Sequence, residues 1–280
     1  MHFCASTAEV YSIVLYPYLT IVVPAYNEAG NIRHDSLSKV AGYLQSQTYS
    51  WEVLIVDDGS DDETADLAEA FAATRPRFRV VRNPHRGKAY TVTTGLLEAQ
   101  GQIVLFTDMD QATPISEAEK LLPWFEFGFD VVIGSRGLAR RNAPLWRKAM
   151  SRSQILLRNL ILGFRDITDT QCGFKAFRRE AIRPILDTLH VYRQSDLPEV
   201  KGASVTAGFD VEVLYVAHQL GYHVKEVPVD WDYRFSRRVN LLGDSCRGIE
   251  ELLRIRSAAL RGQYRRPACI PAGERAAKSA

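Results

Sequence analysis

The sequence predicts an α/β fold in which a mostly parallel sheet is flanked by helices. Short apolar runs rich in Val and Ile alternate with helical segments, which is typical of βαβ units that cover both faces of a sheet. The length of 280 residues suits one large domain with appendages. Acidic clusters also follow three of the runs, and such sheets bind ligands beyond the carboxyl ends of their strands. The clusters are Asn27-Glu28, Asp57-Asp58 and Asp108-Met109-Asp110.

Six segments are predicted to be strands. Residues 19–24, LTIVVP, form a β-branched apolar run that ends at a proline, as expected of a buried parallel strand. Residues 51–56, WEVLIV, have the same character and stop at Asp57. The other predicted strands are 78–81, 102–106, 130–135 and 224–229.

Five segments are predicted to be helices: 31–47, 64–73, 89–98, 146–164 and 245–260. The segment 64–73 is rich in alanine, which has the highest helix propensity. In 146–164 apolar residues recur at helical spacing, and basic side chains such as Arg158 occupy the rest of the surface. The segment 245–260 is also amphipathic and basic, and we expect a loose, positively charged tail over 261–280.

The composition argues against several functional classes. A formal net charge of +2 is too small to predict a nucleic-acid partner. The four cysteines show no C-x-x-C spacing, so they predict neither a zinc site nor a disulfide framework and favour a reduced, cytosolic setting. Residues 10–26 carry no formal charge, but Pro17 and Pro24 interrupt this short stretch, which predicts neither a signal peptide nor a membrane span.

Asp108 and Asp110 directly follow a predicted buried strand, so both carboxylates can converge on one point at its end. Two close carboxylates repel each other unless a cation or proton intervenes, and Mg²⁺ or Mn²⁺ prefers such oxygen ligands together with substrate phosphates. The alternative is an Asp-rich turn before a helix that starts near Thr113. The pattern alone favours neither.

Two further loops have a structural and a functional interpretation. Asp57 and Asp58 either form a strand-to-helix turn, capped by Ser60 or Asp61, or accept a hydrogen bond from a nucleobase. The segment NPHRGK, residues 83–88, is either a solvated turn or a basic loop beside a phosphate. Each segment is ambiguous when it is read in isolation.

Taken in order, the segments resemble glycosyltransferase family 2. The matching pieces are VVPAYNE at 22–28, IVDDGSDDET at 55–64, NPHRGKAYTVTTG at 83–95 and FTDMDQATP at 106–114. The resemblance implies a GT-A (Rossmann-like) domain over 19–240, with a nucleotide-binding half at 19–115 and an acceptor-binding half at 116–240. Residues 1–18 would be an N-terminal extension, and 241–280 would hold a C-terminal amphipathic helix and basic tail.

The second half of the chain resembles the polyprenyl-phosphate hexosyltransferases, the group of dolichyl-phosphate β-glucosyltransferases and dolichyl-phosphate mannose synthases. The motifs are DTQCGFK at 169–175, GFDVE at 208–212 and VPVDW at 227–231. The resemblance implies an inverting transfer of a hexose, glucose from UDP-glucose first, to a polyprenyl or dolichyl phosphate. GDP-mannose as donor, a soluble glycan as acceptor, a non-enzymatic nucleotide-sugar-binding scaffold and, more distantly, a nucleotidyltransferase are the alternatives.

The resemblance also implies roles for individual residues. A Mg²⁺ or Mn²⁺ ion with the donor diphosphate would be bound by Asp108 and Asp110, and Arg136 and Arg147 would join them in catalysis. The acceptor phosphate would be held by Arg136, Arg147 and Ser151. The remaining donor-binding residues would be Pro24, Tyr26, Glu28, Asp57, Asp58, Lys88, Gln111, Arg234, Ser236 and Arg237. Asp210 and Glu212 would contact the sugar, orient an arginine, or simply begin a helix.

A lipid acceptor would explain why the two predicted helices 146–164 and 245–260 are both basic and amphipathic. Helix 146–164 and the C-terminal helix could lie on an anionic membrane surface, where each nearby Lys or Arg contributes about 1 kcal/mol. The alternative is that their apolar stripes pack on the sheet. From the sequence we expect a cytoplasmic protein held peripherally on the inner face of a membrane.

Overall fold

The computed structural model describes residues 16–137, 155, 157–164, 167–202, 207–232 and 241–264. A seven-stranded sheet organises these residues, in the order β3-β2-β1-β4-β6-β5-β7. Its strands are β1 Leu19–Ala25, β2 Trp51–Asp57, β3 Phe78–Arg82, β4 Ile103–Thr107, β5 Val131–Ser135, β6 Phe174–Arg178 and β7 Val224–Pro228. Every neighbouring pair is parallel except the two that involve β6, so the prediction of a mostly parallel sheet is confirmed.

Helices connect the strands and cover the sheet. They are α1 Ala29–Arg33, α2 Ser36–Gln45, α3 Thr64–Ala73, α4 Lys88–Glu98, α5 Ala118–Leu121, α6 Arg179–Thr188, α7 Ala207–Gln219 and α8 Leu241–Leu260. Short 3₁₀ turns flank α5 and precede α7. All six predicted strands are present, with bounds that differ from the predicted ones by one or two residues.

The central strands are buried on both faces. Val22, Leu54 and Phe106 belong to an apolar cluster on one side of the sheet, and Ile21 and Val23 belong to a second cluster on the other side. Because successive side chains of a strand point to opposite faces, this distribution requires a nearly continuous apolar run. It explains why the parallel strands could be recognised from composition.

The predicted helix 31–47 is wrong as a single element. Asp35 has a φ of 63° and separates α1 from α2. Such a left-handed residue breaks a right-handed helix, and Asp is among the few residues that adopt it readily. The chain therefore turns between the two helices where the pattern predicted continuity.

The strand β6 and the helices α6 and α7 were not predicted. Strand β6 runs antiparallel between β4 and β5 and pairs with both. Its second residue is Lys175, which is 0% exposed although lysine is rarely buried without a partner. This charge interrupts the apolar run that identifies a buried strand. Helix α7 is apolar on nearly all sides, so no stripe identifies it.

The predicted helix 146–164 lies mostly outside the described residues. Its described part is helical over 157–162. Arg158, expected on a solvated basic flank, is 6% exposed instead, and its guanidinium donates to the carbonyls of Ile167 and Thr168 and to the Thr170 hydroxyl. The expectation for this one residue was wrong, because carbonyl acceptors replace the water that a surface arginine would bind.

The C-terminal helix α8 closes over α7. Glu251, Ile255 and Ala258 are buried on its inner face, and Tyr264 just beyond it donates a 2.6 Å hydrogen bond to Glu212. Glu212 is 0% exposed. It also accepts the backbone N–H groups of residues 190, 191 and 192 at 2.7–2.9 Å. These hydrogen bonds give Glu212 a structural role rather than a role in ligand binding.

The outer face of α8 carries Ile249, Leu253 and Leu260, which are 42%, 55% and 73% exposed. Their spacing of four and seven residues places them on one face of the helix. Within the described part of the chain, no helix has both the length and the apolar composition that spanning a bilayer requires.

Candidate active site

The carboxyl ends of β1, β2 and β4 bring the acidic clusters to one edge of the sheet. Parallel neighbours place their carboxyl ends together, and β2-β1-β4 are consecutive in the sheet. The end of β5 follows on the far side of β6. The loops after these strands therefore meet at one end of the molecule, as predicted for the site.

Asp57 organises the turn after β2. Its carboxylate is 2% exposed, accepts the N–H groups of Gly59 and Ser60, and accepts the Ser60 hydroxyl at 2.6 Å. Ser60 in turn accepts the Asn27 N–H at 3.0 Å, which ties this turn to the one after β1. Neither Ser60 nor Asp61 caps α3, because that helix begins at Thr64 and Asp62 accepts the Thr64 N–H.

Asp58 anchors the basic loop after β3. Its two carboxylate oxygens accept the N–H groups of Arg86 and Gly87 at 3.0 and 2.9 Å, and Oδ2 also lies 2.9 Å from His85 Nδ1. The aromatic ring of Tyr26 stacks on His85 with 3.9 Å between ring centroids. Asp58 and Tyr26, both predicted to bind the donor, are therefore joined through a residue to which no role was assigned.

Asp108 lies just beyond β4 in a charged cluster. Lys88, at the start of α4, donates to Asp108 Oδ1 at 2.5 Å. Burial alone would lower the pKa of Lys88, but the negative charges of Asp108, Asp210 and Asp110 outweigh it and raise that pKa. Lys88 is therefore a cation at neutral pH.

Gly173 provides the space that Asp108 occupies. A methyl group added at Gly173 would lie 2.0 Å from Asp108 Oδ2 and 2.6 Å from its carboxyl carbon. Contacts under 3.0 Å require something to shift. A side chain at position 173 is therefore incompatible with this position of the Asp108 carboxylate.

Asp110 and Gln111 complete the turn after β4. Asp110 Oδ1 accepts the Ala112 N–H at 2.9 Å. One oxygen of Asp110 therefore stabilises the turn, as expected if the Asp-rich segment forms a turn. Gln111 has a φ of 51°, its Nε2 donates to the Asp108 carbonyl at 2.9 Å, and its Oε1 is buried without a hydrogen-bond partner. A buried acceptor with no donor is costly unless a ligand or water completes it.

These oxygens fit a hard divalent cation. Carboxylates and amide oxygens are its usual protein ligands, and Mg²⁺-type sites commonly take the rest from water and substrate phosphates. Over the described residues no cluster of three or more His, Cys, Asp or Glu side chains forms a metal cage. A metal here would therefore depend on a diphosphate to complete its coordination.

Arg136 follows β5 and forms a bidentate ion pair with Asp169, at 2.7 Å from Nε and 2.8 Å from a terminal nitrogen. Burial alone would raise the pKa of Asp169, but the hydrogen bonds and charge of Arg136 outweigh it and hold that pKa well below its usual range. A guanidinium has five N–H donors, so three remain for another anion. Arg136 also interacts electrostatically with Asp108.

A second ion pair lies deeper in the structure. Lys175 of β6 donates to Asp210 of α7 at 2.7 Å and to the Cys172 carbonyl at 2.5 Å. The negative charge of Asp210 also helps to raise the pKa of Lys88. Asp210 is therefore part of the charged cluster, whereas Glu212, two residues further along the helix, is not.

The structure brings together Tyr26, Asp57, Asp58, Lys88, Asp108, Asp110, Gln111 and Arg136. Pro24 is half-buried in β1, and Glu28 accepts a hydrogen bond from Asn31 in the next turn. Five predicted site residues lie outside the described part of the chain: Arg147, Ser151, Arg234, Ser236 and Arg237.

Sequence reasoning assigned no role to His85, Asp169, Gly173 or Lys175. Asp169, Gly173 and Lys175 all belong to the DTQCGFK motif. The signal that could have found Asp169 is the need of a buried arginine for a carboxylate partner. No local pattern places Lys175 in a strand or His85 against Tyr26, because those contacts join segments distant in sequence.

Comparisons with known proteins agree with this geometry. The profile described as Glycosyl transferase family 2 matches residues 20–186, more than half of the chain. A dolichyl-phosphate beta-glucosyltransferase of Trichomonas vaginalis is 33% identical over 253 residues, which cover 85% of this chain and 68% of that protein. The dolichyl-phosphate beta-glucosyltransferase of Saccharomyces cerevisiae is 32% identical over 271 residues, with coverages of 89% and 77%.

A solved structure shares the fold. Glucosyl-3-phosphoglycerate synthase from Mycobacterium tuberculosis, solved with Mn²⁺, UDP and glucosyl-3-phosphoglycerate, superimposes with a TM-score of 0.58 and 19% sequence identity. The match covers 86% of this chain and 80% of that one. At this identity the likeness supports the architecture alone.

Proposed function

The chain belongs to glycosyltransferase family 2 and is a glycosyltransferase, and from that premise we propose that it transfers glucose from UDP-glucose to a polyprenyl or dolichyl phosphate with inversion at the anomeric carbon. The relatives that carry the name dolichyl-phosphate beta-glucosyltransferase support the glucose and the lipid phosphate. The choice of UDP as the carrier is our inference. A Mg²⁺ or Mn²⁺ requirement is proposed with it.

One observation carries the proposal: cations and carboxylates alternate across the carboxyl edge of the sheet. Asp108 pairs with Lys88, and Arg136 pairs with Asp169 while it also interacts with Asp108. A reaction between two phosphate-bearing substrates needs both signs close together. Carboxylates hold a metal–diphosphate, and guanidinium and ammonium groups hold phosphate oxygens.

On the donor side, we assign Asp108 and Asp110 to a divalent cation and Lys88 to the diphosphate. The cation, when bound, supplies positive charge to the diphosphate as it leaves. Lys88 would keep its contact with Asp108 and also donate to a phosphate oxygen, since its ammonium group has three donors. Gln111, with its buried unpaired Oε1, is assigned to the same end of the donor.

On the acceptor side, we assign Arg136 to the lipid phosphate, together with the predicted Arg147 and Ser151. Asp169 holds the Arg136 guanidinium in one orientation, so its three remaining N–H groups are pre-aligned. A phosphate oxygen is already anionic at neutral pH and needs little help from a general base. Catalysis then rests on positioning and on charge stabilisation.

A membrane surface is the proposed location of the acceptor. The outer face of α8 presents Ile249, Leu253 and Leu260 beside the exposed Arg254 and Arg256. Apolar side chains flanked by arginines suit the interface of an anionic bilayer. The protein would associate peripherally, on the leaflet that carries the lipid phosphate.

The test is a transfer assay with purified protein, radiolabelled UDP-glucose, Mn²⁺ or Mg²⁺ and a short polyprenyl phosphate. We expect a chloroform-soluble glucosyl lipid whose formation stops when EDTA is added. Turnover with GDP-mannose alone would replace glucose by mannose in the proposal. Transfer to a soluble glycan would remove the lipid acceptor, and nucleotide binding without turnover over a broad acceptor panel would favour a scaffold.

A further inference from the structure

His85 joins three parts of the donor side of the site. Its ring lies parallel to that of Tyr26, with 3.9 Å between centroids and 1° between planes. Its Nδ1 lies 2.9 Å from Asp58 Oδ2, and its Nε2 lies 2.9 Å from the carbonyl oxygen of Gly202. The ring therefore contacts the turns after β1 and β2 and a segment from the second half of the chain.

The partners of His85 determine its protonation state. The Gly202 carbonyl can only accept, so Nε2 carries a proton. Both oxygens of Asp58 already accept backbone N–H groups, from Arg86 and Gly87, so Asp58 acts here as an acceptor. Nδ1 must then donate as well. With both ring nitrogens donating, His85 is an imidazolium cation.

The segment 193–202 is fastened to the donor side through the same residue. Besides the ring contact to Gly202, the His85 carbonyl accepts the Val200 N–H at 3.0 Å. Gln194 donates to Thr94 of α4 at 3.0 Å. The chain then continues towards α7, where Asp210 belongs to the charged cluster around Lys88.

We propose that His85 is a positioning residue for the donor nucleoside. Its charged ring fixes the positions of Asp58 and Tyr26 relative to each other and holds residues 193–202 next to them by a hydrogen bond to Gly202. The inference rests on the proposed function, because it requires a nucleotide-sugar donor. An aromatic ring and a carboxylate are the groups that recognise a nucleobase by stacking and by accepting an N–H. His85 fixes the position of one against the other.

The proposal predicts a pH dependence of nucleotide binding. Burial alone would lower the pKa of His85, but its hydrogen bonds to Gly202 and Asp58 outweigh it and raise that pKa. The groups facing the ring are the Asp58 carboxylate, the Tyr26 ring, whose hydroxyl contacts Asp61, and the Gly202 carbonyl. Once pH rises through the pKa of His85, the neutral ring can donate to only one of its two acceptors.

The experiment is a calorimetric titration of UDP-glucose with Mn²⁺ into wild type, His85→Asn and His85→Gln between pH 6 and pH 9, because its diphosphate, unlike that of UDP, has no group that titrates in this range. We expect the Kd of the variants to rise about tenfold at pH 6, the loss of one charge-assisted hydrogen bond. The wild-type Kd should rise with pH until it approaches theirs, and the Kd of the variants should stay flat. In turnover, the donor KM should rise while kcat changes little. His218→Asn, at an exposed position of α7, is the matched control and should bind like wild type.

The outcomes separate the two proposals. Wild type that binds neither UDP-glucose nor GDP-mannose, titrated in the same way, would overturn the proposed function and this inference with it. Wild type that binds UDP-glucose while both His85 variants match its Kd at every pH would overturn the inference alone. If the variants unfold, as circular dichroism would reveal, the wild-type series decides: a Kd constant from pH 6 to pH 9 overturns the role of His85.

Discussion

Two neighbours control the position of the Asp108 carboxylate. Lys88 donates to one of its oxygens, and Gly173 leaves the space in which the other lies. A carboxylate that binds a metal–diphosphate must be held within a fraction of an ångström, because small misplacements reduce catalysis steeply. At the residue scale the geometry of the site therefore depends on the absence of a side chain at Gly173 as much as on the charged residues.

The space at Gly173 leads to a first prediction. In Gly173→Ala, the carboxylate of Asp108 must move, since it is the flexible side of the 2.0 Å contact. We expect kcat/KM to fall about a hundredfold and the Mn²⁺-dependent rise in melting temperature with UDP to be lost. Gly42→Ala in α2, where nothing lies within 4 Å of the new methyl group, is the control and should be active. Equal behaviour of the two variants would contradict the prediction.

The metal assignment leads to a second prediction. Asp110→Asn should keep the fold, because the amide oxygen can still accept the Ala112 N–H. It should lower turnover at least about a hundredfold, since one of the two carboxylates assigned to the divalent cation is lost. Steady-state kinetics with a far-UV spectrum measure both effects. Asp66→Asn, at a side chain 80% exposed on α3, should be unaffected, and near-normal turnover of Asp110→Asn would refute the assignment.

How well the sequence predicted single residues depended on the distance between partners. Asp108 and Asp110 were found because they follow one strand and lie two positions apart. The pairing of Arg136 with Asp169 and the stacking of His85 on Tyr26 join segments at least 33 residues apart, which no local period encodes. Pairwise contacts of this kind arise only when the sheet brings the loops together.

At the scale of elements, helix α8 has one buried face and one exposed face. Its inner face carries the buried Ile255 and Ala258, and its outer face exposes Leu253 among arginines. The sequence predicted a helix at 245–260, close to the observed Leu241–Leu260. The inner face packs on the fold, and contact of the outer face with a membrane stays a prediction.

The outer face can be tested by vesicle flotation. Leu253→Glu should weaken binding to vesicles that contain phosphatidylserine about tenfold or more, because an apolar side chain worth about 1.5–3 kcal/mol is replaced by a charge of the lipid's sign. Phe127→Glu removes an even more exposed apolar side chain, 74% exposed against 55% for Leu253, from a turn remote in sequence, and should not change flotation. Identical binding by wild type and Leu253→Glu would exclude α8 as the membrane-facing element.

The inner attachment of α8 gives a stability prediction. Tyr264→Phe removes the hydroxyl that donates to the fully buried Glu212. We expect the free energy of unfolding in urea to fall by about 1–3 kcal/mol, the range for a buried charged acceptor that loses a donor. Tyr16→Phe, at a residue 48% exposed, should change it little. A loss no larger than that of the control would mean that Glu212 does not depend on Tyr264.

For the whole molecule, ion pairs at the carboxyl edge couple stability to acid. The pKa of Asp169 is depressed in the folded state, as is that of Asp62, whose burial is outweighed by hydrogen bonds from Thr64. A depressed carboxyl pKa contributes stability above the unfolded pKa of about 4, and that stability is lost as pH falls through the folded value. The melting temperature should therefore drop below about pH 4, and Asp169→Asn should drop less steeply than Asp187→Asn.

The architecture as a whole was predicted through its parallel half. Strands β1, β2 and β4 are buried on both faces, and β3 follows β2 at the edge of the sheet, so composition and the alternation with helices identified them. The order of the other half could not be predicted, because β6 pairs antiparallel between two strands that precede it in the chain. Its second residue, Lys175, is buried only because Asp210, 35 residues later, provides a partner.

The insertion of β6 between β4 and β5 also has a consequence for the chain as it is being synthesised. When residue 137 has left the ribosome, β4 and β5 have emerged, but β6, residues 174–178, which lies between them in the finished sheet, has not. During that interval β4, with all five residues buried in the finished fold, is an exposed apolar edge. The nascent chain is therefore prone to aggregation until β6 inserts between β4 and β5 and completes the sheet.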